Sequence, residues 1–290
     1  MQILQSLFFG KYYFEVALIL RSSLFLSSTL LNCEAWVNLS EQNIRSLEQT
    51  DEMLLSKILN CDSNSSNVHK YLELGIHPIR FEIMKRKVLF LQYILHQEET
   101  SMMYKVFQAT CDNPLKNDFV KTCTRYMESL GINLTFEDMR KMTKQKLKKI
   151  VDQKTNEAGF KYLLEKQNEP GKQTKIKQLK YGKLATQEYL LEGNKNTELS
   201  RLIFKARGRN LDIKEHKKWK YEDIYCVGCK TRIESEQELI DCPELKVENN
   251  EEEKVLYSQV FGNNVCEMVK VAQVIQNRLK VREKLLEDPP

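Results

Sequence analysis

The sequence predicts a mainly α-helical protein. Only 10 of its 290 residues are glycine and 6 are proline, which is too few for the dense turns of an all-β fold. Apolar residues recur at helical spacing along most of the chain, as at Ile44, Leu47 and Leu54. A hydrophobic content of 41% beside 29% charged residues is typical of a chain that buries a core of its own.

The first predicted helix covers residues 12–31 and is mostly apolar. Glu15 and Arg21 interrupt it, and the charge-free run from residue 22 to residue 33 is short of the about 20 residues needed to cross a bilayer. No small-residue cleavage site of a signal peptide follows it. We therefore expect a buried amphipathic helix and no membrane association.

Caps and breaks place the helices that follow. Ser40 can cap a helix through residue 59, and Pro78 suits the first turn of a helix that reaches about residue 96. Thr135 and Asp138 match a capping box, and Thr143 begins a long basic helix to about residue 166. Further helices are predicted over residues 101–111, 115–129, 183–191, 198–206 and 265–287. Pro170-Gly171 marks a linker over residues 168–180.

Charge is distributed unevenly, although the net charge is only +5. Residues 140–183 and 201–220 are strongly basic, and residues 234–253 are strongly acidic. Such asymmetry indicates an anionic partner for the basic part, or only a solvated helix face. The eight cysteines are mostly scattered, which favours a reducing, intracellular setting, the cytoplasm or the nucleus, over a secreted disulfide scaffold.

One group of cysteines has the spacing of a metal site. Two residues separate Cys226 from Cys229, so a tight turn can aim both thiolates at one tetrahedral zinc ion, and Cys242 can supply a third ligand. Glu238 is the candidate for the fourth ligand, with His216 as the alternative. The competing interpretations are a knuckle that has lost its metal and three ordinary thiols near a turn.

A basic and aromatic run lies directly before these cysteines. Cations neutralise phosphates, and aromatic rings and arginine planes stack on exposed bases, so the run predicts contact with RNA or DNA. The candidate residues are Arg207, Arg209, Lys214, Lys217, Lys218 and Trp219. The alternatives are a solvated loop anchored by Trp219 and Tyr221 and, for the lysines of residues 141–154, an ordinary soluble helix face.

No catalytic constellation is visible. The sequence has no glycine-rich phosphate loop and no adjacent pair of aspartates that could hold two metal ions. His69, His77 and His96 are isolated from any nucleophile in the sequence. We expect neither enzymatic activity nor a small-molecule substrate.

Several segments, in this order, resemble the C-terminal part of non-long-terminal-repeat (LINE-type) retrotransposon reverse transcriptases. Residues 14–23 and 30–36 resemble the apolar helix and Glu-x-Trp-like element after the catalytic palm, and residues 71–81 are similar to the thumb. Residues 202–214 precede the cysteines as the basic segment precedes the family's zinc knuckle. That knuckle has Cys, Cys, His and Cys, which fall here on Cys226, Cys229, Glu238 and Cys242.

The resemblance implies three segments. Residues 1–134 would form a thumb-like helical domain, residues 135–195 a basic helical connector, and residues 196–290 the basic segment, the knuckle with glutamate in the histidine place, and a closing helix. The endonuclease and the palm would lie upstream, so this chain would be a non-catalytic part of an RNA-directed DNA polymerase that binds RNA or DNA. The alternatives are a helical interaction scaffold, whose helix 265–286 docks a partner, and a transposon remnant without a selected function.

Overall fold

The computed structural model describes residues 12–36, 39–63, 65–113, 118–169, 177–191, 196–246 and 255–287. Helices make up most of these ranges, and the only β pairing within them is an isolated antiparallel bridge between Tyr225 and Ile233. The mainly α-helical fold predicted from the sequence is confirmed.

The first half of the chain forms nine α-helices within the described ranges. A π-helical turn, Arg21–Phe25, joins α1 to α2. The bounds are α1 Tyr13–Leu20, α2 Leu26–Thr29, α3 Glu41–Leu59, α4 Asn67–Leu74, α5 Ile79–Leu95, α6 Met102–Asp112, α7 Phe119–Leu130, α8 Phe136–Lys141 and α9 Lys144–Asn168.

The second half contains shorter helices and one long closing helix. Two 3₁₀ turns, Pro243–Leu245 and Tyr257–Phe261, precede the closing helix. The α-helices are α10 Glu188–Leu191, α11 Thr197–Arg207, α12 Glu236–Asp241 and α13 Val265–Glu287. The helix predicted over residues 183–191 is confined to α10, and most of the predicted linker, residues 170–176, lies outside the described residues.

The predicted caps are confirmed. The Ser40 hydroxyl accepts a hydrogen bond from the Asn43 backbone N–H at 3.1 Å. Thr135 and Asp138 form the reciprocal capping box, with backbone N–H to side-chain oxygen distances of 3.1 and 3.0 Å. Each cap satisfies N–H groups that the first helical turn leaves without partners, which explains why α3 and α8 begin where they do.

The largest hydrophobic core draws on both ends of the chain. Helices α1, α3 and α4 contribute residues such as Leu55 and Leu72, which pack in one buried cluster with Phe204 of α11 and Ile275 of α13. A second core joins α5, α6, α7, α8 and α9. The predicted boundaries after residues 134 and 195 therefore do not separate the cores, because the closing segment packs on the first helices.

The closing helix α13 is an integral part of the large core. Met268, Val271, Ala272 and Ile275 are buried in it. The scaffold hypothesis has residues 265–286 dock a partner. Because the apolar side of the helix is covered by the rest of the chain, only its solvent side would be available for such docking.

Helix α1, the π-helical turn after it and α2 bury only one side of their shared surface. Phe14, Ala17 and Leu26 are buried, whereas Ile19 and Leu24 are exposed. No helix in the described ranges combines the length and the apolar character that spanning a membrane requires.

The turn after α4 fixes the segment that leads into α10. Gly75 has a φ of +66°, and a Cβ added there would lie 2.0 Å from the backbone carbon of Ala185. The Gln187 N–H donates to the Glu73 carbonyl at 2.9 Å, and the Thr186 hydroxyl donates to the Leu74 carbonyl at 2.9 Å. Position 75 requires glycine both for its positive φ and for its small size. The close contact places residues 185–187 directly against the end of α4, next to Glu73.

Candidate metal centre and the basic segment beside it

The cysteine turn is held by backbone hydrogen bonds. The Cys226 N–H donates to the Arg232 carbonyl at 2.7 Å, and the Lys230 N–H donates to the Cys226 carbonyl at 2.9 Å. Lys230 adopts the left-handed conformation, with a φ of 56°. The chain thus reverses between Tyr225 and Ile233, so the Cys226 and Cys229 thiols can face one point.

The other two candidate ligands come from α12. Ser235 caps this helix, Glu238 lies in its first turn, and Cys242 follows its last residue. The Cys242 N–H donates to the Glu238 carbonyl at 2.9 Å, which fixes the spacing between the two residues. The ligand atoms of Cys226, Cys229, Glu238 and Cys242 all lie within 4.8 Å of one another. The structure therefore brings together the four residues that the sequence singled out, and this cluster could hold a metal ion.

The distances within the cluster match a tetrahedral site. The Cys226 and Cys242 sulfurs are 3.7 Å apart, and the Cys229 sulfur is 3.4 Å from Glu238 Oε1. Zinc–sulfur and zinc–oxygen bonds of about 2.3 and 2.0 Å at tetrahedral angles give about 3.8 Å between two sulfurs and about 3.5 Å between sulfur and oxygen. These two distances agree with the calculated values, and all the ligand atoms lie within 4.8 Å of one another, so the cluster could hold a metal ion.

Burial makes the thiols of the cluster costly to ionise when no cation is bound. Cys226 and Cys242 are buried, and burial raises the pKa of the Cys226 thiol to about 12. Hydrogen bonds from Thr231 lower the pKa of the Cys229 thiol. A divalent ion would supply the positive charge that lets the buried thiols and the carboxylate coordinate together, and its binding would release protons.

Close packing surrounds the cysteines. A Cβ added to Gly228 would lie 2.9 Å from the Glu244 Cβ and 3.3 Å from the Cys242 sulfur. Glycine between the two turn cysteines thus lets the chain after α12 approach the turn. This close approach keeps Cys242 beside the pair.

Glu234 links the turn to α13. Its carboxylate accepts two hydrogen bonds from the Arg282 guanidinium, both at 2.9 Å, and one from the Lys214 N–H at 2.7 Å. The Val227 N–H, inside the turn, donates to the same carboxylate at 3.4 Å. Glu234 has no exposed surface and Arg282 is 2% exposed. One buried carboxylate therefore joins the basic segment, the cysteine turn and the closing helix.

Arg278 adds a second link from the same face of α13. Its Nη1 donates to the Cys242 carbonyl at 2.6 Å. Arg278 and Arg282 are not among the residues predicted from the sequence, and they stand four positions apart on one face of α13. That spacing among the apolar residues of α13 is the signal that could have identified them.

His216 is not the fourth ligand. Its Nε2 lies 2.9 Å from Glu236 Oε1, and its Nδ1 accepts a hydrogen bond from the Leu211 N–H at 3.2 Å. His216 forms a separate group with Glu236 and Glu215, and the Arg209 guanidinium lies 2.7 Å from Glu215 and 3.3 Å from Glu236. The arginine supplies positive charge to this second group, which is thus an ion-pair cluster.

Four of the six predicted nucleic-acid contacts have internal partners. Arg207 is 3% exposed and lies 3.0 Å from Glu73, so its assignment to a phosphate contact is wrong. Lys214 is also buried, with its ammonium 2.7 Å from Asp223, and the same correction applies. Arg209 is bound in the cluster of Glu215 and Glu236, and Lys217 pairs with Asp62.

The other two predicted contacts face solvent. Trp219 is 71% exposed and Lys218 is exposed beside it. The alternative interpretation, in which Trp219 anchors a solvated loop, is therefore wrong for Trp219, because its ring is not packed against the protein. An indole that stands free on the surface beside a cation is available for stacking.

A separate cationic surface lies on the first turns of α9. Leu147 and Val151 turn inward, and four lysines, none of them paired with a carboxylate of the described residues, cover the solvent half of the helix. These are Lys144, Lys146, Lys148 and Lys149. We call this surface the α9 lysine face.

Comparisons of this chain with protein-family models, with curated proteins and with solved structures find no match.

Proposed function

We propose that this protein is a non-catalytic, nucleic-acid-binding part of a LINE-type reverse transcriptase, with zinc as the structural metal of its cysteine cluster. The observation that carries the proposal is the convergence of Cys226, Cys229, Glu238 and Cys242 at tetrahedral spacing, directly after a basic segment. The order of motifs that resembles the family supports the rest.

Zinc is the metal that the donor set favours. Three thiolates select a borderline-soft ion, and the sulfur–sulfur distance of 3.7 Å and the sulfur–oxygen distance of 3.4 Å agree with zinc's bond lengths. With four protein ligands the site is closed, as in structural zinc sites, and leaves no open position for a substrate. The role of the ion would be to hold the cysteine turn on α12.

Nucleic-acid binding is supported by the cations that remain exposed. The α9 lysine face and Lys218 offer positive charge that no carboxylate of the described residues neutralises. Trp219 offers a free aromatic ring. Such a combination suits a phosphate backbone with accessible bases.

Protein purified without a chelator is expected to contain about one zinc per chain, because the cluster has a single closed set of four ligands. Cys226→Ser should lose the metal, as measured by elemental analysis and by a colorimetric chelator. Cys266→Ser is the matched control, since Cys266 is an exposed thiol outside the cluster. Equal zinc content in the two variants would contradict the metal assignment.

Nucleic-acid affinity should depend steeply on salt, with log affinity falling linearly as log salt rises. Replacing all four lysines of the α9 lysine face by glutamine should reduce that slope by about three, because each phosphate contact contributes about 0.7–0.9. Filter binding of a labelled RNA or DNA strand over a salt series measures the slope of log affinity against log salt.

The matched control replaces Lys141 and Lys154, which pair with Glu137 and Glu157 on the same stretch of chain. Their replacement by glutamine should change the slope much less. If the wild-type protein binds neither RNA nor single-stranded DNA at low salt, the proposed function is wrong.

A further inference from the structure

We propose that the cleft between α11 and the basic segment is a binding site for one unpaired nucleotide of a strand, with the phosphate at Lys205 and the base stacked on Trp219. This inference rests on the proposed function and deepens it, because it names a binding site and states that this site prefers single strands over duplexes. The sequence did not single out Lys205.

The cleft has the size of a ligand site and a polar lining. Its volume is about 500 Å³, within the range of about 300–1,000 Å³ that is ordinary for ligand pockets. The side chains around it are polar or charged, with one aromatic ring. They are Asp62, Ser63, Lys205, Asn210, Asp212, Lys217, Trp219 and Lys220.

The charges of the lining suit one phosphodiester. Lys217 pairs with Asp62, and the Lys220 ammonium is 2.9 Å from Asp212. Each of these lysines is neutralised by a neighbour, so Lys205 is the cation left over. A single negative charge would balance the cleft, and each phosphate of a strand carries one.

Lys205 is held in a position that is costly without an anion. It is half-buried on α11, and no carboxylate of the described residues lies within ion-pair distance. Burial lowers the pKa of its ammonium group, the nearby Asp62 raises it in part, and the positive charge of Lys217 lowers it further. A bound phosphate would compensate both the burial and the repulsion between the two lysines.

Trp219 supplies the second half of the site. The ring lines the cleft and is nevertheless 71% exposed, so its face is open to an incoming base. Bases inside a duplex already stack on their neighbours and hide their faces. The preferred ligand is therefore an unpaired nucleotide, and base identity should matter little because every base has a stacking face.

The test uses the whole 290-residue chain carrying Trp36→Phe. The chain has 2 tryptophans, so the tryptophan emission of this variant, excited selectively over its 12 tyrosines, comes from Trp219 alone. The probe is oligo(dT) of about eight residues, a length typical of single-strand sites. Anisotropy of the labelled strand measures total binding, and quenching of tryptophan emission measures occupation of the cleft. Inorganic phosphate, a nucleoside monophosphate and a duplex of equal length are titrated in parallel.

The strand should quench Trp219, and the duplex should not. Lys205→Gln should weaken the quenching titration about tenfold, because it removes one charge-assisted contact. Lys121→Gln, a change on the exposed side of α7, should leave it within about twofold. Circular dichroism of both variants should match that of the parent, which shows that they fold.

Four results overturn the inference. If the labelled strand binds while Trp219 emission stays unchanged, or if Lys205→Gln behaves as Lys121→Gln, the cleft is not the site and the proposed function stands. If phosphate or the monophosphate saturates the quenching as tightly as the strand, the cleft takes a free ligand instead. If no nucleic acid binds by either readout, the inference and the proposed function fail together.

Discussion

Arg207→Met is expected to lower the free energy of unfolding by about 3–5 kcal/mol, the usual cost of leaving one partner of a buried ion pair alone. Arg207 Nε lies 3.0 Å from Glu73, and its Nη1 donates to the Val260 carbonyl at 2.7 Å. Glu73 has no exposed surface. Chemical denaturation followed by circular dichroism measures the loss.

The size of this effect follows from the charge that the variant would leave behind. Burial by itself would raise the pKa of Glu73, but Arg207 and His69, together with hydrogen bonds from Tyr181 and Tyr189, lower it. The Tyr181 and Tyr189 hydroxyls donate to the carboxylate at 2.6 and 2.7 Å. Methionine keeps the length of the Arg207 side chain but removes its positive charge. The free-energy cost of burying the Glu73 carboxylate therefore remains without compensation.

The pH dependence of the free energy of unfolding distinguishes the loss of this ion pair from a simple packing defect. In the wild type the lowered pKa of Glu73 means that its contribution to stability is present above the ordinary value of 4.5 and is lost as the pH falls through the folded pKa. In Arg207→Met, burial would leave the folded pKa raised, so protonation of Glu73 relieves the penalty. The stability difference between the two proteins should therefore narrow from about pH 7 to about pH 4.

Two further variants separate charge from packing. Arg140→Met removes an arginine that is 44% exposed and pairs with Glu99, and it should cost less than about 1 kcal/mol. Adding Glu73→Gln to Arg207→Met removes the buried charge and should restore more than half of the lost stability. A double variant as unstable as the single one would contradict the ion-pair explanation.

Local features of this chain were predictable from the sequence. The Ser40 cap and the Thr135–Asp138 box act within one helical turn, so residue types three positions apart are sufficient to identify them. The cysteine cluster is local in the same sense, because Cys226 and Cys242 are separated by only 16 positions. Spacing alone therefore identified these residues.

Long-range pairing was not predictable from the sequence. Arg207 meets Glu73 across 134 positions, and in the sequence it differs in no way from a surface arginine. Helix α4 was missed because it has only eight residues and buries His69, Lys70 and Glu73 along with its apolar side chains. The burial of these three residues depends on partners in other parts of the chain, such as Phe204, Ser56 and Arg207, which the local sequence does not show.

Internal ion pairs also explain why the basic segment offers fewer exposed cations than its sequence predicts. Arg207 meets Glu73 across 134 positions, and Lys214 meets Asp223 only nine positions away, in an irregular loop where spacing alone does not indicate pairing. Trp219 and Lys218 remain exposed. The charge of a sequence segment thus sets an upper limit on the charge of the corresponding surface.

Arg282→Met is expected to weaken zinc binding by about 10- to 100-fold, the usual effect of removing a group that orients metal ligands. Arg282 is the guanidinium that holds Glu234, whose carboxylate in turn receives the Val227 N–H of the cysteine turn. Without it Glu234 would be a buried carboxylate held only by backbone N–H groups, and α13 would keep only the Arg278 link to the cysteine cluster. Competition with a colorimetric zinc chelator measures the affinity.

The matched control on the same helix is Lys280→Met, because Lys280 is exposed and two residues away. Its zinc affinity should equal that of the wild type. Arg282→Met should also lower the free energy of unfolding by about 3–5 kcal/mol, since its ion pair with Glu234 is almost completely buried. Adding Glu234→Gln should recover part of that stability, while zinc affinity stays low because the link between turn and helix is still missing. Wild-type zinc affinity in Arg282→Met would show that the cysteine turn holds its shape independently of the closing helix.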